Sequence, residues 1–302
     1  MLKPVGARLK RSIDSDLQDL PRGTKRKPSY PPIDCSTEGW SLDWKNILIE
    51  DRREPLVSIK NSGLVMASAY YNQGIHGALP EIYVRETVLD KLLLAQQYLQ
   101  ETHPGYRVQV WDGWRPISVQ QALFDAYKAT VCADASAWAS PEEKRLFDLE
   151  NRRTDADQAE FDRLATIKTQ HFVSLPSDDP HCPSPHLTGG SVDVTIVDAN
   201  GNPLDMGTEF DDFSDRAHTN YFEGQDSPIR DNRRLLFSVM TRAGFTNFPY
   251  EWWHFDFGNQ FYEHKSKRDD PSCKMTASYG PVLSPTNQCS NRLVQIIPVI
   301  AQ

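Results

Sequence analysis

The sequence lacks any run approaching the roughly 18 consecutive apolar residues of a membrane-crossing helix, and residues 1–20 lack the apolar stretch of a secretory signal. A soluble, cytoplasmic protein without a membrane span is therefore expected. Cysteine is scarce. Cys35, Cys132, Cys182, Cys273 and Cys289 show no CxxC spacing, which excludes a zinc finger and a dithiol redox motif. Their odd number excludes full internal pairing, so reduced thiols are expected, with a Cys273–Cys289 bridge as the alternative in an oxidising compartment. Net positive charge is missing too, since 33 Lys and Arg against 41 Asp and Glu leave −8. A polyphosphate partner needs a positive surface to displace its counterions, so nucleic acid is not expected to bind the folded body.

What remains is a globular composition, 39% hydrophobic and 25% charged over 302 residues, enough for one large domain or two small ones. Charge is uneven: residues 1–33 hold eight basic and three acidic side chains, a net +5 that leaves −13 for the rest. Residues 1–35 read as a basic, solvated, disordered arm, with contact to an acidic partner or membrane surface as the alternative. A folded body is expected over 36–264, with a loosely ordered tail over 265–302. Short strands are expected at 47–49 and 56–59. Helical spacing of Val88, Leu89, Leu92, Leu93, Ala95, Tyr98 and Leu99 predicts a helix over 85–102, and a strand follows at 106–111. A second helix starts after Pro116 and runs to about 130. Ser140-Pro141-Glu142-Glu143 and Thr154-Asp155 mark two helix starts inside a charged insertion or lid at 131–175. Strands at 191–197 and 250–257 enclose another helix at 229–242. Helices and short strands at uneven spacing favour an α+β domain over a doubly wound sheet.

Two segments carry chemistry. The first is Ser184-Pro185-His186-Leu187-Thr188-Gly189-Gly190-Ser191-Val192-Asp193, the second Glu251-Trp252-Trp253-His254. Two imidazoles and two carboxylates match a hydrolytic zinc site, which needs about three protein ligands, an open position for water, and a base. Gly189-Gly190 lets a loop histidine fold back over the polar face of the next strand, where Asp193 stands. Glu251 and His254 are three apart and in a regular strand would face opposite sides, so a bend after Pro249-Tyr250 is expected. His181 and Cys182 are alternative ligands on a loop. Arg115, at the end of Val110-Trp111-Asp112-Gly113-Trp114-Arg115-Pro116, offers a fixed donor fork for an oxyanion or carboxylate, or else a surface ion pair with Asp112.

In order and spacing, WDGxRP at 111–116, SxHxxGxxxD at 184–193 and EWWH at 251–254 resemble the zinc D-alanyl-D-alanine dipeptidases, as do Met206-Gly207-Thr208-Glu209-Phe210-Asp211 and Arg216-Ala217-His218. The resemblance spans about 68–257. It implies a compact single α+β domain, with a central, mostly antiparallel sheet flanked by helices, shared with D,D-carboxypeptidases and the Hedgehog domain. It implies one Zn2+ held by His186, Asp193 and His254, Glu251 as general base and acid, and Arg115 stabilising the tetrahedral intermediate. It further implies Asp211 on the substrate ammonium, Ser184 helping to fix its carboxylate, and a pocket tyrosine at Tyr70 or Tyr71. The implied activity is hydrolysis of D-Ala-D-Ala and similar small dipeptides. Two alternatives stand: a D,D-carboxypeptidase acting on peptidoglycan stems, and a non-catalytic zinc-stabilised binding module. Two features depart from the pattern: Ser191 where alanine is usual, and the long charged insertion, which bears on substrate length.

Overall fold

The computed structural model describes residues 30–35, 37, 40, 42–150, 153–170, 172–269 and 275–285. Residues 1–29 of the disordered arm expected over 1–35, and both Cys273 and Cys289, lie outside them. The strands are β1 Leu48–Ile49, β2 Leu56–Ser58, β3 Val65–Met66, β4 Tyr83–Arg85, β5 Arg107–Asp112, β6 Ser191–Val197, β7 Thr246–Asn247, β8 His254–Asp256 and β9 Thr276–Ala277. The helices are α1 Ala69–Asn72, α2 Glu86–Thr102, α3 Ile117–Ala133, α4 Pro141–Leu149, α5 Asp155–Thr169, α6 Pro228–Arg242 and α7 Gln260–Asp269. Among the described residues no helix is long and apolar enough to cross a membrane.

The fold is a mixed α+β one, and in place of one clear central, mostly antiparallel sheet the described residues form a mixed five-stranded sheet and two separate strand pairs. Five strands in the order β3-β5-β6-β8-β7 form the largest, while β1-β9 and β2-β4 stand as separate pairs. The five-stranded sheet is mixed, because β3 runs parallel to β5 whereas β6 is antiparallel to both of its neighbours. Strict alternation along β6 divides its roles. Val192, Val194 and Ile196 join the main core with Val88, Leu92 and Leu99 of α2 and Leu235, Leu236 and Val239 of α6. Ser191, Asp193 and Thr195 form the other face, and all three are buried.

The insertion folds as two capped helices. Ser140 and Glu143 close a reciprocal capping box on α4, and Thr154 with Asp157 closes another on α5. Trp138, stacked on Phe161 with ring centroids 4.2 Å apart, joins Leu146 and Ala165 in a small separate core.

Three expectations are corrected. Packing begins before residue 36: Ile33 and Cys35 are buried, and Tyr30 lies against the main core. The tail is docked where it is described. β9 pairs with β1, Tyr279 and Val282 are buried, and the Val282 N–H donates to the Leu187 carbonyl at 2.9 Å. Strands of two residues carry no readable alternation, so a Pro/Ser/Asn-rich stretch reads as loop. The strand expected over 250–257 shortens to β8, because the chain turns between Phe248 and Glu251.

Candidate metal centre

Sheet register brings the ligands together. Asp193 on β6 lies directly opposite His254 on β8, and Asp112 on β5 lies on the other side of Asp193. Directly opposed residues share a face with their Cβ atoms about 5 Å apart, so three polar side chains form one row across three strands. A register shift between Val110 and Asp112 re-aims the end of β5 toward that row. His186 arrives from the one-turn 3-10 helix Pro185–Thr188, which ends on Gly189 at φ 71, a left-handed conformation that glycine adopts without strain.

The geometry suits a small cation. The His254 Nδ1 atom lies 3.1 Å from an Asp193 oxygen and 3.2 Å from His186 Nε2, and His186 Nε2 is 3.4 Å from the other Asp193 oxygen. Metal bonds of about 2.0–2.1 Å in a tetrahedron place neighbouring ligand atoms about 3.3 Å apart, close to the separation of the two nitrogens and of each nitrogen from one Asp193 oxygen. The far nitrogen of each ring is also occupied. His186 Nδ1 is 2.8 Å from the Gly113 carbonyl, and His254 Nε2 is 3.1 Å from the Asp256 carboxylate. A carbonyl and a carboxylate only accept, so each ring can donate outward, which would leave its inner nitrogen available to a cation at the shared centre. Gly113 is required at that spot, because a Cβ there would meet the Tyr83 carbonyl at 2.6 Å.

Asp256 is an orienting residue that the sequence motifs miss. It also accepts from Ser191 at 2.7 Å and from Asn259 at 2.7 Å, which explains the polar residue at 191. Replacing Asp256 by asparagine is expected to weaken divalent-ion affinity about 10-fold, by removing the charge that keeps His254 basic. Competition against a chelating dye measures this, and an unchanged dissociation constant would contradict the role.

Electrostatics agree with the layout. Burial raises the Asp193 pKa, but the two imidazoles outweigh it and hold the carboxyl well below the usual carboxylate range. Burial pushes the Glu251 carboxyl up to about 8, opposed in part by His254. Glu251 is recessed rather than sealed, with 21% of its side chain accessible, and its Oε2 lies 3.7 Å from His254 Nδ1. The expected bend is the turn at 248–251, and Asn247 fixes it by donating from Nδ2 to the carbonyls of Glu251 at 3.1 Å and His254 at 2.9 Å.

Arg115 is buried and engaged rather than a surface partner. It donates to Asp112 at 2.7 Å, Gln120 at 2.7 Å, and Tyr70 and Asp193 at 3.2 Å each. These bonds use four of its five N–H groups. The tyrosine brought into the site is Tyr70, whose hydroxyl donates to Asp211 at 3.0 Å, whereas Tyr71 is half exposed. Asp211 sits at φ 59, unusual for a residue with a side chain and of the kind that clusters at functional sites. Burial and the nearby Asp193 charge push its carboxyl up to about 7, against the pull of Arg115.

Ser184 stands apart. Its hydroxyl accepts from the Ser177 N–H at 2.9 Å and faces the Leu175 carbonyl at 3.3 Å, so it ties a loop together. Cys182 packs beside Trp44, Ile47 and Phe261, and His181 is exposed. Two buried arginines hold the site loops by their carbonyls. Arg85 donates to Thr188 at 2.7 Å and Gly280 at 2.8 Å. Arg233 donates to Met206 at 2.7 Å, Arg216 at 2.8 Å and His218 at 2.6 Å, on both sides of Asp211.

A cavity of about 340 Å³ opens over His186, Asp193, His254, Glu251, Arg115 and Asp211. A buried His-Asp-His cluster facing a cavity, with a carboxylic acid beside it, is the constellation of a metal-dependent hydrolase. A family model described as D-ala-D-ala dipeptidase matches residues 162–269. The D-alanyl-D-alanine dipeptidase of Synechocystis sp. (strain ATCC 27184 / PCC 6803 / Kazusa) is 31% identical over 251 residues, 78% of this chain and 95% of that protein. That of Escherichia coli (strain K12) is 41% identical over 73 residues, 24% of this chain and 37% of that one. A solved structure of a variant of the vancomycin-resistance D,D-pentapeptidase VanY in complex with Zn(II) is 15% identical, with a TM-score of 0.36 over 76% of this chain and 96% of that one. The chain is a metallopeptidase, and it belongs to the D-alanyl-D-alanine dipeptidase family.

Proposed function

We propose that the chain hydrolyses D-alanyl-D-alanine and similar small dipeptides to free amino acids, with one Zn2+ held by His186, Asp193 and His254. The observation that carries this is the convergence of His186, Asp193 and His254, whose two ring nitrogens lie 3.2 Å apart and each 3.1–3.4 Å from one oxygen of the Asp193 carboxylate, with Glu251 in the cavity lining 3.7 Å from His254 Nδ1. Zinc suits a set of two imidazole nitrogens and one carboxylate, and when bound it supplies Lewis acidity and lowers the pKa of a water to about 7.

The chain's own groups then have separate tasks. Glu251 accepts the proton of the attacking water and passes it to the leaving amine. Its recessed carboxyl is otherwise raised toward neutrality, and beside a bound dication it would ionise more readily and so serve as a base. Arg115 keeps a permanent positive charge near the carbonyl oxygen and steadies Asp193 through their 3.2 Å contact. Asp211, fixed by the Tyr70 hydroxyl, takes the substrate ammonium, and that positive charge favours its ionised form. Ser184 contributes by anchoring the loop before His186. The thiols of Cys132 and Cys182 fit a reducing, cytoplasmic setting.

Release of D-alanine from D-Ala-D-Ala and from its N-acetyl derivative tests the reading. The free dipeptide is expected to be cleaved at least about 100-fold more efficiently, because an acylated amine leaves Asp211 buried without its partner. Asp211→Asn is expected to erase most of that ratio. Equal cleavage of both substrates by the natural sequence would turn the assignment toward a carboxypeptidase that trims longer stems.

A further inference from the structure

The cavity continues past the groups that a dipeptide of two alanines would use. Its volume of about 340 Å³ falls within the roughly 300–1,000 Å³ of pockets that enclose drug-sized ligands, which are larger than that dipeptide. The additional wall is apolar and comes from three elements: Leu123 and Tyr127 of α3, Phe172 and Val173 just after α5, and Phe213 two residues beyond Asp211. Its rings form a cluster. Tyr127 lies 4.4 Å from Phe213 and 5.6 Å from Phe172 between centroids, and Phe172 lies 6.1 Å from Phe213. Phe172 remains 38% exposed, so the cluster is an accessible wall and not a sealed core.

This wall is tied to the polar end. Buried Gln120 accepts from Arg115 at 2.7 Å and donates to the Ser174 carbonyl at 2.8 Å, so one side chain links the segment bearing Phe172 and Val173 to the site arginine. Two alanine side chains would leave these rings in water. A larger apolar side chain would bury them and itself, and area removed from water is favourable at about 25 cal/mol per Å².

We infer that this site takes dipeptides in which one residue carries a leucine- or phenylalanine-sized apolar side chain, in preference to D-Ala-D-Ala. The inference rests on the dipeptidase reading above. An apolar side chain that fills a preformed pocket changes kcat/KM by about 10- to 200-fold per methylene-scale contact, so a preference of at least about 10-fold is expected.

The experiment compares D-Ala-D-Ala with D-Ala-D-Leu, D-Ala-D-Phe, D-Leu-D-Ala and D-Phe-D-Ala. It reads amino-acid release by the natural sequence and calorimetric dissociation constants on the Glu251→Gln protein. At least one bulky pair is expected to exceed D-Ala-D-Ala about 10-fold or more in both readouts. Phe172→Ala, a partly exposed position that should fold, is expected to lower that ratio several-fold. If D-Ala-D-Ala is cleaved and bound as well as every bulky dipeptide, or the ratio survives Phe172→Ala, the subsite is refuted and the dipeptidase reading stands. If no dipeptide is cleaved, that reading fails, and calorimetry decides the subsite alone: tighter binding of a bulky dipeptide supports it, and equal or weaker binding overturns it.

Discussion

Glu251→Gln is expected to keep one divalent ion per chain while lowering kcat on D-Ala-D-Ala by about 100- to 10,000-fold, the range that positioned proton transfer contributes. Glutamine has nearly the volume of glutamate and the same reach, so the turn at 248–251 and the accessible position in the cavity lining are retained. Only the proton acceptor is lost. Because Glu251 is placed beside the ligand cluster and not inside it, metal content and turnover should separate. Metal analysis after dialysis, paired with D-alanine release, checks this. Loss of the ion together with activity would make Glu251 a ligand, and retained turnover would remove it from the chemistry.

Asp193→Ala is expected to do the opposite, losing the ion and at least about 10,000-fold in activity together. The carboxylate is the only anion among the three ligands, and it also accepts from Arg115 at 3.2 Å. Without it two imidazoles face the guanidinium, an arrangement that repels a dication. Added zinc should not restore turnover at concentrations that saturate the natural sequence. Restoration by modest zinc excess would mean that the ion is held mainly elsewhere.

The contrast between these variants follows from the part of the site that was legible in the sequence. His186 and Asp193 could be placed together because a glycine pair separates a loop from an alternating strand, and that alternation fixes which face Asp193 takes. Glu251 and His254 were legible as a pair only on the assumption of a bend, which is the turn held by Asn247. The residues that orient the ligands left no such signal. Asp256 acts across the sheet on Ser191 and through space on His254, while Arg85 and Arg233 act on backbone carbonyls, whose positions no side-chain pattern records. Ser184 shows the converse: its motif position is matched, but its hydroxyl is occupied by the 175–177 backbone.

The long helices were legible for a similar reason. α2 and α6 repeat apolar residues over four turns, and α4 and α5 announce their starts with capping residues. β1 and β9, two residues each, are defined by pairing with one another, and pairing across more than 200 positions is invisible to local pattern. The division of strands into three sheets therefore emerged only from the structure.

The most direct test of the central claim is an anomalous difference map at the zinc absorption edge, from crystals of the natural sequence grown with zinc. A single strong peak per chain is expected about 2.0–2.2 Å from His186 Nε2, His254 Nδ1 and an Asp193 oxygen, with Glu251 outside bonding distance and solvent at the fourth position. A peak elsewhere, or one at this cluster whose fourth position is closed by a protein side chain, would contradict the account.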